Sequence, residues 1–232
     1  MKPRVFINMT YMQLGGAERA LIGLLNALDT NRVDVDLFVN QHTGELMKLI
    51  PDKINLLPER RGYNAIRRPL KTIIMEGQLK VAIARLVAKF KYRAYLRRTK
   101  FKRDASSNNF IMDEVIKVLP PLYDLGEYDL AISFIDPPHI VQEKVIAKKR
   151  MEWIHTDFGQ MDLDIKNLLP RWGANDYIAS ISPDITRSFL KAFPSLKDKI
   201  VEVENIISPA YVRQQAELRD VSDEMLSAVG SK

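Results

Sequence analysis

Cysteine is missing from this chain altogether. It can therefore hold no disulfide framework, no thiolate-bound zinc or iron-sulfur group and no cysteine nucleophile, a composition that fits a reducing compartment. Histidine is scarce, with His42, His139 and His155 the full set, which leaves few ways to build a metal site. Long apolar runs are also missing, since no stretch reaches the roughly 18 apolar residues of a membrane span. The short apolar run after Arg4 gives way to Gln13, Glu18 and Arg19 before a signal-peptide core can form. What is present is ordinary globular material: 232 residues, 46% hydrophobic and 28% charged, with 10 Gly and 12 Pro. That is enough for one good-sized core or two small ones, and it excludes disorder, collagen-like repetition and low complexity. The expectation is a soluble, cytoplasmic, globular protein.

Charge is spread unevenly. The window 60–103 holds fifteen basic residues against one acid, Glu76, a local excess of +14 that leaves −8 for the remainder of a +6 chain. An asymmetry of this size speaks for a local anionic partner and says little about the fold.

Along the chain, strand-like and helix-like segments alternate. Val5, Phe6 and Ile7 are contiguous in a short strand over 2–8, which breaks at Gly15-Gly16 into a helix with Ala20, Leu21, Leu24, Leu25 and Leu28 on one face. A second strand covers 33–39, a short helix 43–50 and a third strand 53–57. Beyond the basic window, a helix is predicted over 110–119, strands over 129–135 and 150–154 with a helix over 137–147 between them, then a strand over 177–181, a helix over 183–193 opened by Pro183, and a last strand over 200–203. About seven strands interleaved with helices predict an α/β fold, a Rossmann-like doubly wound and mostly parallel sheet, with ligands at the carboxyl ends of its strands. The polar tail 208–232 shows no further strand and reads as an inter-domain segment.

Three places in this pattern could carry chemistry. The turn Gly15-Gly16-Ala17-Glu18 lies between the first strand and the first helix, where bare glycines let a phosphate approach free helix amides. It lacks the third glycine of a dinucleotide fingerprint and the lysine of a phosphate loop, so a plain tight turn with Glu18 favoured by the helix dipole stands equally. His155-Thr156-Asp157 follows Trp153-Ile154 at a strand end, and an imidazole two residues from a carboxylate could orient a sugar hydroxyl or stabilise developing positive charge. His42 and His139 are read as surface or loop residues. Asp162-Leu163-Asp164 copies a metal-diphosphate pattern but follows no buried strand, so a solvated face is expected and no metal site.

The basic window itself predicts a long amphipathic helix over 69–98, with Leu79, Ala82, Ile83, Leu86, Phe90 and Ala94 on one face, rimmed by Lys80, Arg85, Lys89 and Lys91 and continued by Arg93, Arg97 and Arg98. An aliphatic face with few aromatics for base stacking ranks an anionic membrane surface first, packing on its own domain next and nucleic acid third.

Taken together and in order, Gly-Gly-Ala-Glu-Arg-Ala-Leu at 15–21, Trp-Ile-His-Thr-Asp-Phe at 153–158, Ala-Ser-Ile-Ser at 179–182, Phe-Leu-Lys-Ala-Phe-Pro at 189–194 and Val-Glu-Asn-Ile-Ile at 203–207 resemble the N-terminal domain of retaining, nucleotide-sugar-dependent glycosyltransferases of the two-domain GT-B type, family four. The resemblance covers most of the chain apart from the basic window. It implies a Rossmann-like acceptor-side domain over 1–207, with a basic helical insertion at 60–109, facing an absent donor-binding domain. It further implies a hexosyltransferase-type enzyme of cell-surface polysaccharide or lipopolysaccharide synthesis that is inactive without its second domain. Gly15, Gly16 and Glu18 then approach the donor diphosphate, while His155 and Asp157 stand at the reacting sugar. No metal or other cofactor is implied beyond the nucleotide-sugar co-substrate. The implied partners are that donor, a glycan or lipid-linked sugar acceptor and an anionic membrane surface, with no nucleic acid, and the implied location is cytoplasmic with peripheral attachment to the inner membrane face. The competing expectation is a non-catalytic Rossmann-like module anchored to anionic membrane by its basic helix.

Overall fold

The apolar run that opens the chain becomes β1 (Arg4–Met9), and its alternating side chains go to two different cores, Phe6 to one and Ile7 to the other. A computed structural model describes residues 2–99, 101, 106–135, 137–206 and 212–213. Apart from 212–213, the expected inter-domain segment 208–232 lies outside the described residues, as do Lys100, Lys102 and Arg103 of the basic window. After β1 come α1 (Gly16–Ala27), β2 (Asp34–Val39), β3 (Asn55–Leu56), α2 (Leu70–Met75), α3 (Leu79–Thr99), α4 (Ser107–Val115) and β4 (Glu127–Ser133). The second half contains α5 (His139–Glu143), β5 (Ile146–Ile154), α6 (Ile165–Gly173), β6 (Tyr177–Ser180), α7 (Pro183–Ala192) and β7 (Ile200–Glu202).

Seven strands form one sheet in the order β3-β2-β1-β4-β5-β6-β7, and every neighbouring pair is parallel. The chain winds outward from β1 to β3, then from β4 to β7 on the other side, so the topological switch point lies between β1 and β4. The expected α/β, Rossmann-like, doubly wound sheet of seven strands is therefore present. In register, Ile7 opposes Leu37 and Ile132, and Trp153 opposes Ala179. These residues form one core together with Leu21 and Leu25 of α1. On the other face, Phe6, Phe38 and Ala131 pack beneath Tyr63, Ile73, Val81 and Val115, and Ile154 and Ile178 pack beneath Trp172 and Phe189. Each such large side chain, fully buried, contributes on the order of 1.5–3 kcal/mol. The basic segment thus supplies a covering layer of the sheet.

Two local readings are corrected. The single helix expected over 69–98 is two helices, because Gly77 turns the chain with φ +72° between α2 and α3. The helix expected over 137–147 stops at Glu143, and the following residues begin a longer β5. The short helix expected over 43–50 is present as a 3-10 helix over 45–49. Helix α6 has no counterpart in the expected pattern; Asp164 caps it by accepting from the Asn167 amide.

Helix α3 is apolar on two opposite faces. It packs inward through Val81, Ala82, Ala84 and Ala88, and its far half meets α4 through Tyr92 and Tyr95 against Phe110. Of the six residues read as its single apolar face, only Ala82 is buried, while Leu79, Ile83, Leu86, Phe90 and Ala94 are exposed.

Candidate functional site

Strand β5 delivers Trp153 and, one residue past its end, His155 to the same side of the sheet. The imidazole stacks parallel to the Trp153 ring with centroids 6.2 Å apart, and lies 4.7 Å from the Phe134 ring, which follows β4. One ring nitrogen donates to the Phe134 carbonyl, and Nε2 is buried with no partner. The donating nitrogen is therefore Nδ1. Burial pushes the imidazole pKa down to about 4, against a weaker opposing pull from the Phe134 carbonyl. At neutral pH the ring is uncharged, with a bare lone pair on Nε2, which makes it an acceptor for a ligand hydroxyl.

This predicts that long-range ¹H–¹⁵N spectra will show His155 as the Nδ1-H tautomer and titrating near pH 4, well below the free value of 6.5. Because the folded pKa is the lower one, the stability that neutral His155 contributes is complete above pH 6.5 and is lost as the pH falls towards 4. A midpoint near 6.5 would contradict the buried geometry.

Around His155 lies a cavity of about 270 Å³. It is lined by Trp153, His155 and Thr156, by Phe158 and Met161 with Leu168 and Trp172 of α6, and by Asn108 and Asn109 of α4 with Asp162 and Asp164. Among the described residues no lysine or arginine lines it. The lining offers ring faces, carboxylates and amides, and a second acceptor, Asn109 Oδ1, is buried without a partner. Aromatic rings, carboxylates and amides in a lining without a cation among the described residues fit a neutral polyhydroxyl ligand better than a phosphate. Among the described residues no group of three or more His, Asp or Glu stands close enough to hold a metal ion.

The solvated face expected for Asp162-Leu163-Asp164 is corrected: all three residues are half-buried and line this cavity. Asp164 is occupied in capping α6, and Asn167 Nδ2 donates to it at 2.6 Å. His139 is corrected too, being fully buried in place of the expected surface position. Its Nε2 donates to Asp113 at 2.9 Å, and Arg171 pairs with the same carboxylate oxygen. Burial pushes the Asp113 carboxyl up, but His139 and Arg171 outweigh it and hold it below its usual range. This cluster ties α4 to α5 and α6 behind the cavity. His42 is half-buried, with its ring nitrogen 3.1 Å from the Leu57 carbonyl.

Asp157 does not line the cavity. Its carboxylate accepts from Ser188 Oγ and, at 2.9 Å, from the Gly159 amide. The Ser188 bond, then the Gly159 bond, hold its pKa below the usual carboxylate range. It thereby anchors the loop after β5 to α7. Gly15 is the N-cap of α1, and Glu18 is buried and folded back so that a Cβ on Gly15 would lie 2.1 Å from its carboxyl oxygen. Gly16 is open, with nothing within 4 Å of a Cβ. The turn stands above β1, two strands from β5. A small cavity of about 20 Å³, lined by Asn8, Asn40 and Arg67 and sharing Asn108 and Ile135 with the main cavity, lies at the carboxyl ends of β1 and β2.

Sequence reasoning missed Trp172, Asn108, Asn109 and the Asp113–Arg171 pair. Trp172 carried one usable signal: the chain has two tryptophans, and both line this cavity.

The chain matches no protein-family model and no curated protein. Among solved structures it is similar to Anabaena Alr3699/HepE in complex with UDP-glucose, at 13% identity and a TM-score of 0.43 over 93% of this chain and 49% of that one. The same protein in complex with UDP and glucose gives 14% identity and a TM-score of 0.44 over 93% of this chain and 50% of that one. The chain thus spans about half the length of these structures.

Proposed function

We propose that this chain is the acceptor-side half of a retaining, nucleotide-sugar-dependent glycosyltransferase of the two-domain GT-B type, family four, working in cell-surface polysaccharide or lipopolysaccharide synthesis. The observation that carries this reading is the cavity at the end of β5, lined by aromatic rings and by a neutral imidazole whose Nε2 is unpartnered, with no lysine or arginine in the lining among the described residues. The ordered motifs from Gly15 to Ile207 agree with it. In this reading His155 accepts a hydrogen bond from a hydroxyl of the donor sugar and holds the reacting carbon in place, and Asp157 is a positioning residue through its grip on the following loop. The open Gly16 and the first amides of α1 take the donor diphosphate, with Glu18 shaping the turn.

The acceptor oxygen bonds to the anomeric carbon on the face from which the diphosphate leaves. The carbon–phosphate-oxygen bond breaks through an oxocarbenium-like state, and the acceptor proton passes to the departing diphosphate oxygen. The electron pair of the broken bond goes with the diphosphate, so the step needs no redox partner; in this proposal the diphosphate charge is met by protein groups, with no metal or further cofactor. The transfer is of hexosyltransferase type, and the acceptor is a glycan or a lipid-linked sugar. The same proposal makes the domain a peripheral protein on the inner face of the cytoplasmic membrane, with the basic segment as its contact.

Because Trp153 and Trp172 are the chain's two tryptophans and both bound the cavity, their fluorescence reports its occupancy directly. Titration with nucleotide-sugars and a panel of glycosides is expected to shift the emission, and His155→Ala is expected to weaken the response about tenfold, the loss of one hydrogen bond. The 232 residues alone are expected to turn over no nucleotide-sugar. Emission unmoved by every sugar would overturn the cavity assignment, and turnover by this chain alone would overturn the half-enzyme reading. A non-catalytic module draws support from the Glu18 carboxylate, which faces the site meant for an anion. That alternative gains if sugars bind but a chain carrying a second domain transfers none.

A further inference from the structure

We infer that the outer stripe of α3 is a membrane footprint, inserted into an anionic bilayer surface with the helix lying in the plane of the headgroups. This deepens the membrane part of the proposed function by naming the surface, and for its partner it rests on that reading. Leu79, Ile83, Leu86 and Phe90 recur at helical spacing on the side opposite the buried Val81, Ala84 and Ala88. They stand in solvent, Ile83 at 61% and Phe90 at 67% exposure, and Met75, four residues before Leu79 across the Gly77 turn, is 78% exposed.

Four large apolar side chains exposed in one row over the first half of α3 form the kind of patch that marks a docking or membrane surface. What favours a bilayer over a second protein copy is charge. Lys80, Lys89, Arg93 and Arg97 are exposed, lie on the same helix and make no ion pair among the described residues. Two copies of this face would bring like charges together, whereas anionic headgroups neutralise them while the apolar side chains enter the acyl boundary.

The structure also separates cations that sequence treats alike. Arg85 points inward, its guanidinium donating to the Ala65 carbonyl at 3.0 Å and to the Arg68 carbonyl. Lys91 is paired with Glu114 at 2.6 Å. Neither belongs to the footprint. The helix does not cross the bilayer, since no helix among the described residues is long and apolar enough to do so.

The test is sedimentation of the chain with phosphatidylcholine vesicles made with and without phosphatidylglycerol. Selective binding to the anionic vesicles is expected. Neutralising Lys80, Lys89, Arg93 and Arg97 to glutamine is expected to lower partitioning by several hundredfold, at roughly fivefold per charge removed. The double variant Ile83→Glu, Phe90→Glu is expected to abolish binding, while Lys91→Ala changes it less than twofold. The exposed positions keep folding intact, which circular dichroism verifies. Vesicle binding that survives the double variant overturns the footprint. So does an absence of vesicle binding, whether the chain then forms a dimer sensitive to Ile83→Glu or is retained on DNA. The sugar titration of the tryptophans is independent, so a chain that binds vesicles but no sugar keeps this surface and loses the transferase reading.

Discussion

Trp172→Ala is expected to destabilise the chain by about 3–5 kcal/mol, the range for removing a large aromatic from a packed core, and to abolish the sugar response of the remaining tryptophan. Trp172 is 2% exposed and meets Phe158 edge-on at 5.7 Å and Phe189 at 5.0 Å, so three rings from three segments share one contact. The same indole is a wall of the His155 cavity. Truncation therefore removes core packing and merges the vacated volume with the ligand space. Urea unfolding followed by circular dichroism reads the first effect, and Trp153 emission reads the second. Trp172→Phe is expected to recover most of the stability, because a ring still fills the contact. A loss below about 1 kcal/mol would show that α6 contributes little to holding the site.

Gly44→Ala is expected to be nearly as costly although it adds one methyl group. Gly44 holds φ 109° and ψ 154°, a region that side chains do not tolerate, and an added Cβ would lie 2.1 Å from the Met12 carbonyl oxygen. Strain of this kind costs about 1–3 kcal/mol, and the clash is with backbone, which cannot rotate away. Met12 is pinned on both sides here, its amide donating to the Thr43 carbonyl and its carbonyl accepting from the Leu46 amide, each at 2.9 Å. That clamp sets the path of the loop leading to Gly15 and Gly16. The variant is expected to shift the amide resonances of Gly15 and Gly16 as well as lower the unfolding midpoint. Unchanged Gly15 and Gly16 resonances would mean that the loop holds its place without the clamp.

The fold was legible because its signals are local. Val5, Phe6 and Ile7, the strand over 34–39 and the Leu21–Leu25 face each declare their element through spacing alone, and parallel order follows once strands and helices alternate. His155 was legible for the same reason, since a polar group just past a buried strand lands at the ligand edge of such a sheet. The other cavity walls were not. Asn108, Asn109 and Trp172 come from α4 and α6, distant in sequence and brought together by packing. Pro170 stands inside α6 against the local rule for helix interiors, and the helix forms nonetheless under the Asp164 cap and the packing of Trp172 into the core.

By itself, the sequence determined what depends on neighbouring residues: the strand and helix periods, the glycine turn after β1, the position of His155 at a strand end and the +14 excess of the window 60–103. Only the tertiary structure decided which polar groups are left without partners and which are consumed. Asp157 is spent on Ser188, Arg85 on backbone carbonyls and His139 Nε2 on Asp113, whereas His155 Nε2 is left buried without a partner and the outer stripe of α3 is left exposed. The reason is physical. Period and propensity act over a few residues, but the satisfaction of a hydrogen-bonding group or an apolar face depends on what the whole chain packs against it.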